Sequence, residues 1–101
     1  MKAILTKTFR FYDYDGSPKG IARPPILIKE IDWPNNLPPS SFGFIRDGEL
    51  HDAVHSTGFD INEKNIVIYL RPAEFSTNNQ QGLNNEISRY KENGFKDQLS
   101  E

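Results

Sequence analysis

Both histidines of the chain lie in one short stretch, His51-Asp52-Ala53-Val54-His55, so any metal or imidazole chemistry must pass through it. The spacing resembles the two-histidine zinc motif, in which histidines one helical turn apart share a face and an intervening acid activates the metal-bound water. Here Asp52 stands where that motif has Glu, and Gly58 and Asp60 lie close to where an extended protease motif places a glycine and a third ligand. Asp60 is one residue short of that position, and Asp is a shorter base than Glu. A helix over residues 50–55, supported by the spacing of Leu50, Ala53 and Val54 and stopped by Gly58, is the condition for the site. On a strand the same histidines would lie about 13 Å apart and could not share a metal. The preceding Asp47-Gly48 decides the expectation, because Asp-Gly between apolar-containing runs is the strongest short-range hairpin signal. A hairpin over residues 42–55 is expected, with no metal ligand and no catalytic residue assigned.

Other chemistry meets similar obstacles. Asp13-Tyr14-Asp15-Gly16 begins like a calcium loop, yet its fifth position is not Asp and Pro24 stands where the bidentate Glu belongs. Gly16 and Gly20 are separated by Pro18 and lack the Lys-Ser/Thr of a phosphate-binding loop. Serines and threonines surround His55, but no glycine-flanked nucleophile elbow accompanies them. No cofactor is implied.

Flat polar-edged rings beside arginine are a different resource, suited to recognition. Arg10, Tyr12 and Tyr14 project from the polar side of the first strand and its turn, while Trp33 sits in a proline-rich loop and Arg46 on the hairpin. These five are the candidate partner-binding residues. A protein partner outranks single-stranded nucleic acid because the formal net charge is -2, from 12 basic and 14 acidic residues. No basic face able to displace many counterions is visible, and the carboxylates are too sparse for a DNA mimic.

The elements that must hold these residues read as follows. Residues 2–12 alternate, with Ala3, Leu5, Phe9 and Phe11 on one face and Lys7 as a polar intruder among them, which predicts a half-buried strand. A turn rich in Asp, Gly and Pro follows over 12–20. Residues 26–31 read as a strand beside the first, begun at an edge by Pro24 and Pro25. Three prolines make 33–41 a loop. Residues 56–63 read as a polar connection whose Phe59 and Ile61 tuck under the sheet. Residues 65–71 read as a central strand covered on both faces, ended by Pro72.

Beyond residue 73 the composition changes. Pro72 could open a short helical turn at 73–75, and 76–82 read as a link. The clearest helix starts at Asn84 or Asn85 and ends at Asn93, with Leu83, Ile87 and Tyr90 on one stripe and Arg89 and Lys91 near its end. Gly94 is the expected left-handed stop, with Phe95 folded back on Tyr90, and 96–101 should fray.

With 101 residues and 36% hydrophobic content, including 7 Phe and 4 Tyr, the chain forms one small domain: 1–72 strand-rich, 73–101 linker and C-terminal helix. The expected class is α+β, a mainly antiparallel sheet of about five strands with the C-terminal helix packed on one face. Absence of cysteine, of a signal-like apolar region and of any long apolar run argues for a cytoplasmic protein without a membrane partner. The expected function is a non-enzymatic protein-binding module, an inhibitor or immunity protein that neutralises a toxin, effector or host enzyme by surface complementarity. The competing class is a small-ligand-binding oligomer, for example a phage anti-defence protein, in which Arg71, Arg89 and Lys91 meet an anionic ligand between subunits. A zinc hydrolase using His51 and His55 ranks third.

Overall fold

The computed structural model describes residues 2–12, 25–33, 43–76 and 79–98, the side chains of Phe11, Tyr12 and Asp47 excepted. Tyr14, most of the expected turn at 12–20 and all but Trp33 of the proline-rich loop lie outside the described residues. In chain order the elements are β1 (Lys2–Lys7), β2 (Phe9–Tyr12), β3 (Leu27–Asp32), β4 (Phe44–Asp47), β5 (Leu50–Asp60), β6 (Asn65–Leu70), β7 (Ala73–Ser76), α1 (Gln80–Glu92) and β8 (Lys96–Asp97). The class is α+β. Six strands form a mixed sheet in the order β4-β5-β6-β1-β3-β8, and β2 and β7 form a separate two-stranded sheet.

Most pairs in the six-stranded sheet are antiparallel, but β1 runs parallel to β6 at its centre, Lys2 opposite Asn65 and Leu5 opposite Ile68. That pair continues past a bend as the parallel pair of β2 and β7, Phe9 opposite Ala73. The expected single strand over 2–12 is therefore two strands with a break at Thr8, which is kept in register by the Ala73 N–H donating to the Thr8 carbonyl at 3.1 Å. On the partner strands β6 and β7 the break falls at Arg71-Pro72, where proline removes a ladder donor. Residues 73–76, expected as a helical turn or link, are strand β7.

Period-2 alternation accounts for the core. Ala3, Leu5 and Phe9 are buried with Ile66, Ile68 and Leu70 from β6, Leu50 and Val54 from β5, Leu27 from β3, and Leu83, Tyr90 and Phe95 from the C-terminal region. β6 is central as expected, yet it is buried on one face only, for Tyr69 on the other is 46% exposed.

The hairpin forms as expected: β4 and β5 pair antiparallel from Phe44 opposite Ala53 to Asp47 opposite Leu50, and Gly48 supplies the positive φ of 62° that the turn needs. β5 then runs on to Asp60, through residues expected to be a connection. A register shift between Val54 and Ser56 leaves His55 as the extra residue of a bulge. The bulge changes the strand's alternation, so that beyond Leu50 and Val54 it is Thr57 and Phe59 that stand opposite Ile68 and Ile66. Phe59 and Ile61 do not tuck under the sheet; they are exposed.

Helix α1 begins at Gln80, four or five residues earlier than the expected start at Asn84 or Asn85, because Asn79 caps it, its side chain accepting from the Gly82 N–H at 3.1 Å. It ends as expected. The Gly94 N–H donates to the Lys91 carbonyl and the Phe95 N–H to the Tyr90 carbonyl, both at 3.1 Å, with Gly94 at φ 96°. Lys96 and Asp97, expected to fray, instead pair with Ile28 and Leu27 as the edge strand β8.

Candidate functional site

The polar intruder of β1 organises the interior. Lys7 alternates with Leu5 and so faces the core, where its side chain is only 5% exposed. An ammonium so placed needs a carboxylate and further acceptors. Asp52 provides the first: on β5 it shares the inward side of Leu50 and Val54, and its Oδ2 accepts from Lys7 Nζ at 2.8 Å. The Arg71 carbonyl provides the second, at 2.6 Å, just where β6 has ended. The Tyr90 hydroxyl from α1 donates to the same Asp52 Oδ2, and the Ala53 N–H donates to Asp52 Oδ1 at 2.8 Å.

Tyr90 is fixed by its surroundings. Phe9 and Phe95 meet its ring edge-on at centroid distances of 6.1 and 5.1 Å, while Lys7 Nζ and the Arg89 guanidinium lie over it at 5.2 and 5.0 Å. Burial, followed by the hydrogen bond to Asp52 and that carboxylate's negative charge, raises the Tyr90 hydroxyl well above the ordinary tyrosine range. Arg89 is itself held by Glu86, Nε to Oε1 at 2.9 Å and Nη2 to Oε2 at 3.0 Å, and this bidentate pairing raises its pKa. Among the described residues no buried side-chain nitrogen or oxygen lacks a hydrogen-bond partner. The Lys7–Asp52–Tyr90 cluster is thus mutually saturated.

Both histidines lie on β5, so the one-turn geometry that a two-histidine zinc site requires is not formed. His51 is exposed and packs against Phe44, ring centroids 5.0 Å apart. His55, on the bulge, lines an open groove where the two sheets meet. This groove, about 490 Å³, is walled by Arg10, His55, Arg71, Pro72 and Glu74. A neighbouring depression of about 300 Å³ shares Arg10, His55 and Pro72 with it and adds Thr6, Thr8, Ser56, Tyr69 and Leu70. Arg10 and Glu74 are register partners on β2 and β7.

Of the candidate partner-binding residues, Arg10 is exposed in this groove and Arg46 is exposed on β4 opposite His51. Trp33 is partly buried against the core. Tyr12 belongs to β2 with its side chain outside the described part, as is the whole of Tyr14. Of the three cations Arg71, Arg89 and Lys91, Arg89 is bound to Glu86, Lys91 Nζ lies 3.3 Å from Asp97, and Arg71 lines the groove. Sequence reasoning missed Asp52 and Tyr90 as partners of Lys7. The available signal was Lys7 itself, since a cation at an inward position of an alternating strand demands a counter-charge from elsewhere in the chain.

Large hydrophobic side chains also reach solvent. Phe44, Phe59, Ile61 and Tyr69 are exposed on the β4-β5-β6 side, and Ile26 just before β3. Phe59, Ile61, Val67 and Tyr69 surround one shallow depression with Gly58, Asp60 and Asn62. No helix among the described residues is long and apolar enough to cross a membrane. No family model, no curated protein and no solved structure matches this chain.

Proposed function

We propose that the chain is a non-enzymatic protein-binding module, an inhibitor or immunity protein that neutralises a toxin, effector or host enzyme by surface complementarity. The observation that carries this reading is the grouping of exposed hydrophobics: among the described residues, four of the five large ones, Phe44, Phe59, Ile61 and Tyr69, belong to β4, β5, β6 and the turn joining β5 to β6. Aromatic and aliphatic side chains concentrated at one end of a sheet and ringed by polar groups have the composition of an interface centre. Asp60, Asn62, Glu63 and Lys64 supply the polar rim here. Arg46 beside His51 and Arg10 beyond Tyr69 extend the proposed surface with the arginines that interfaces favour, and Tyr12, Tyr14 and Trp33 complete the set expected from the sequence. The saturation of the Lys7–Asp52–Tyr90 cluster supports the same reading, since these groups are committed to one another.

The test is affinity capture from the source cell with the folded chain as bait, using wild type, the pair Phe59→Ser with Ile61→Asp, and Ile26→Asp as control. A stoichiometric protein retained by wild type and by the control, and weakened at least about tenfold by the pair, is the expected outcome. Retention of no protein, or retention indifferent to the pair, would sink the reading.

A further inference from the structure

We propose that the groove between the two sheets binds a phosphate-bearing small molecule, specifically a nucleotide, with its phosphates on Arg10 and Arg71 and its base against Tyr69. The inference goes beyond the protein contact proposed above and stands on different residues, apart from Arg10 and Tyr69.

The groove is a consequence of topology. Two parallel strand pairs follow one another, and the bend between them at Thr8 and Arg71-Pro72 opens a concave wall that neither sheet has alone. The opposing strand contributes the bulge that sets His55 in the same wall. Together the adjoining depressions, about 490 and 300 Å³, are within the range that encloses small ligands.

The wall is also chemically one-sided. Among the described residues two arginines and a histidine line this wall together with one carboxylate, Glu74, in a chain whose formal net charge is -2. Among the described residues the Arg71 guanidinium has no hydrogen-bond or ion-pair partner, whereas Arg89 and Lys91 are each held by an acid. Its backbone is pinned on both sides: the N–H donates to the Ala53 carbonyl at 2.9 Å and the carbonyl accepts from buried Lys7 at 2.6 Å. A planar fork on a fixed root matches phosphate oxygens bidentately at reduced entropic cost. Thr8 and Ser56 add hydroxyl donors nearby, and Tyr69 offers a half-exposed ring for base stacking. Glu74 selects for a ligand that also carries hydrogen-bond donors, as a ribose or an exocyclic amine does. Two arginines can engage only a few phosphates, which favours a mononucleotide over a nucleic-acid strand in this mildly acidic chain.

Isothermal titration with ADP, inorganic pyrophosphate and adenosine tests the assignment on wild type, Arg71→Gln and Tyr69→Ala, with thermal unfolding to verify that both variants fold. ADP should bind, and adenosine should bind at least about tenfold more weakly, as should ADP to Arg71→Gln. Tyr69→Ala should weaken ADP and leave pyrophosphate unchanged. No heat with ADP at millimolar concentration, equal binding of ADP and adenosine, or ADP binding indifferent to either substitution would overturn it.

Discussion

Removing the Lys7 ammonium leaves the Asp52 carboxylate, 15% exposed, with the Tyr90 hydroxyl and the Ala53 N–H as its remaining donors among the described residues. Lys7→Met is expected to destabilise the fold by about 3–5 kcal/mol, the cost of a buried charge left without its partner. Adding Asp52→Leu should recover part of that loss, so a double-mutant cycle by urea unfolding will be strongly non-additive. Tyr90 makes a separate prediction in pH. Its folded pKa is raised above the unfolded value near 10, so the native state holds the proton more tightly. The stabilisation is complete below about pH 10 and is lost above it, by at most about 1.4 kcal/mol per pH unit. Tyr90→Phe should lose about 1–3 kcal/mol at neutral pH and show a shallower decline above pH 10, read from urea midpoints across pH 8 to 11.

Among the elements, the start of α1 is set by a contact that apolar periodicity does not carry. Asn79 folds its amide over Gly82, where a Cβ would come within 2.7 Å of the capping oxygen. Asn79→Ala should therefore cost about 1 kcal/mol in wild type and almost nothing in a Gly82→Ala background, where the cap is already displaced; thermal midpoints of the four chains measure this. The end of the same helix was legible, because Gly94 and Phe95 announce a Schellman ending by residue type alone. The hairpin was legible for the same reason, through Asp47-Gly48. β5 was legible only as far as its bulge, since the extra residue at His55 breaks the alternation on which strand recognition depends. The candidate site shows the same division: Lys7 stands out on its strand, whereas Asp52, Arg71 and Tyr90 join it through contacts 38 to 64 residues apart in sequence.

For the whole molecule, the strand order explains why an antiparallel sheet of about five strands fell short. The short pair Lys96-Asp97 makes an edge strand too small to be seen by pattern, and the parallel pairing of β1 with β6 joins segments that no local signal relates. Being inner strands, β1 and β6 carry the most fully buried side chains, among them Leu5, Ile66 and Ile68. Native-state hydrogen exchange should accordingly find the slowest amides in β1 and β6 and much faster ones in β4, β8 and the first turn of α1.

The parallel pair also orders events during synthesis. β1 is made early but completes its pairing only with β6, about sixty residues later in the chain, which at 5–20 residues per second is a delay of roughly 3–12 s. Until then β1 has only β3 to pair with, and the acid that neutralises Lys7 arrives only with β5. A charge placed at the end of β1 is expected to keep the nascent segment soluble until the partners that bury it have been made.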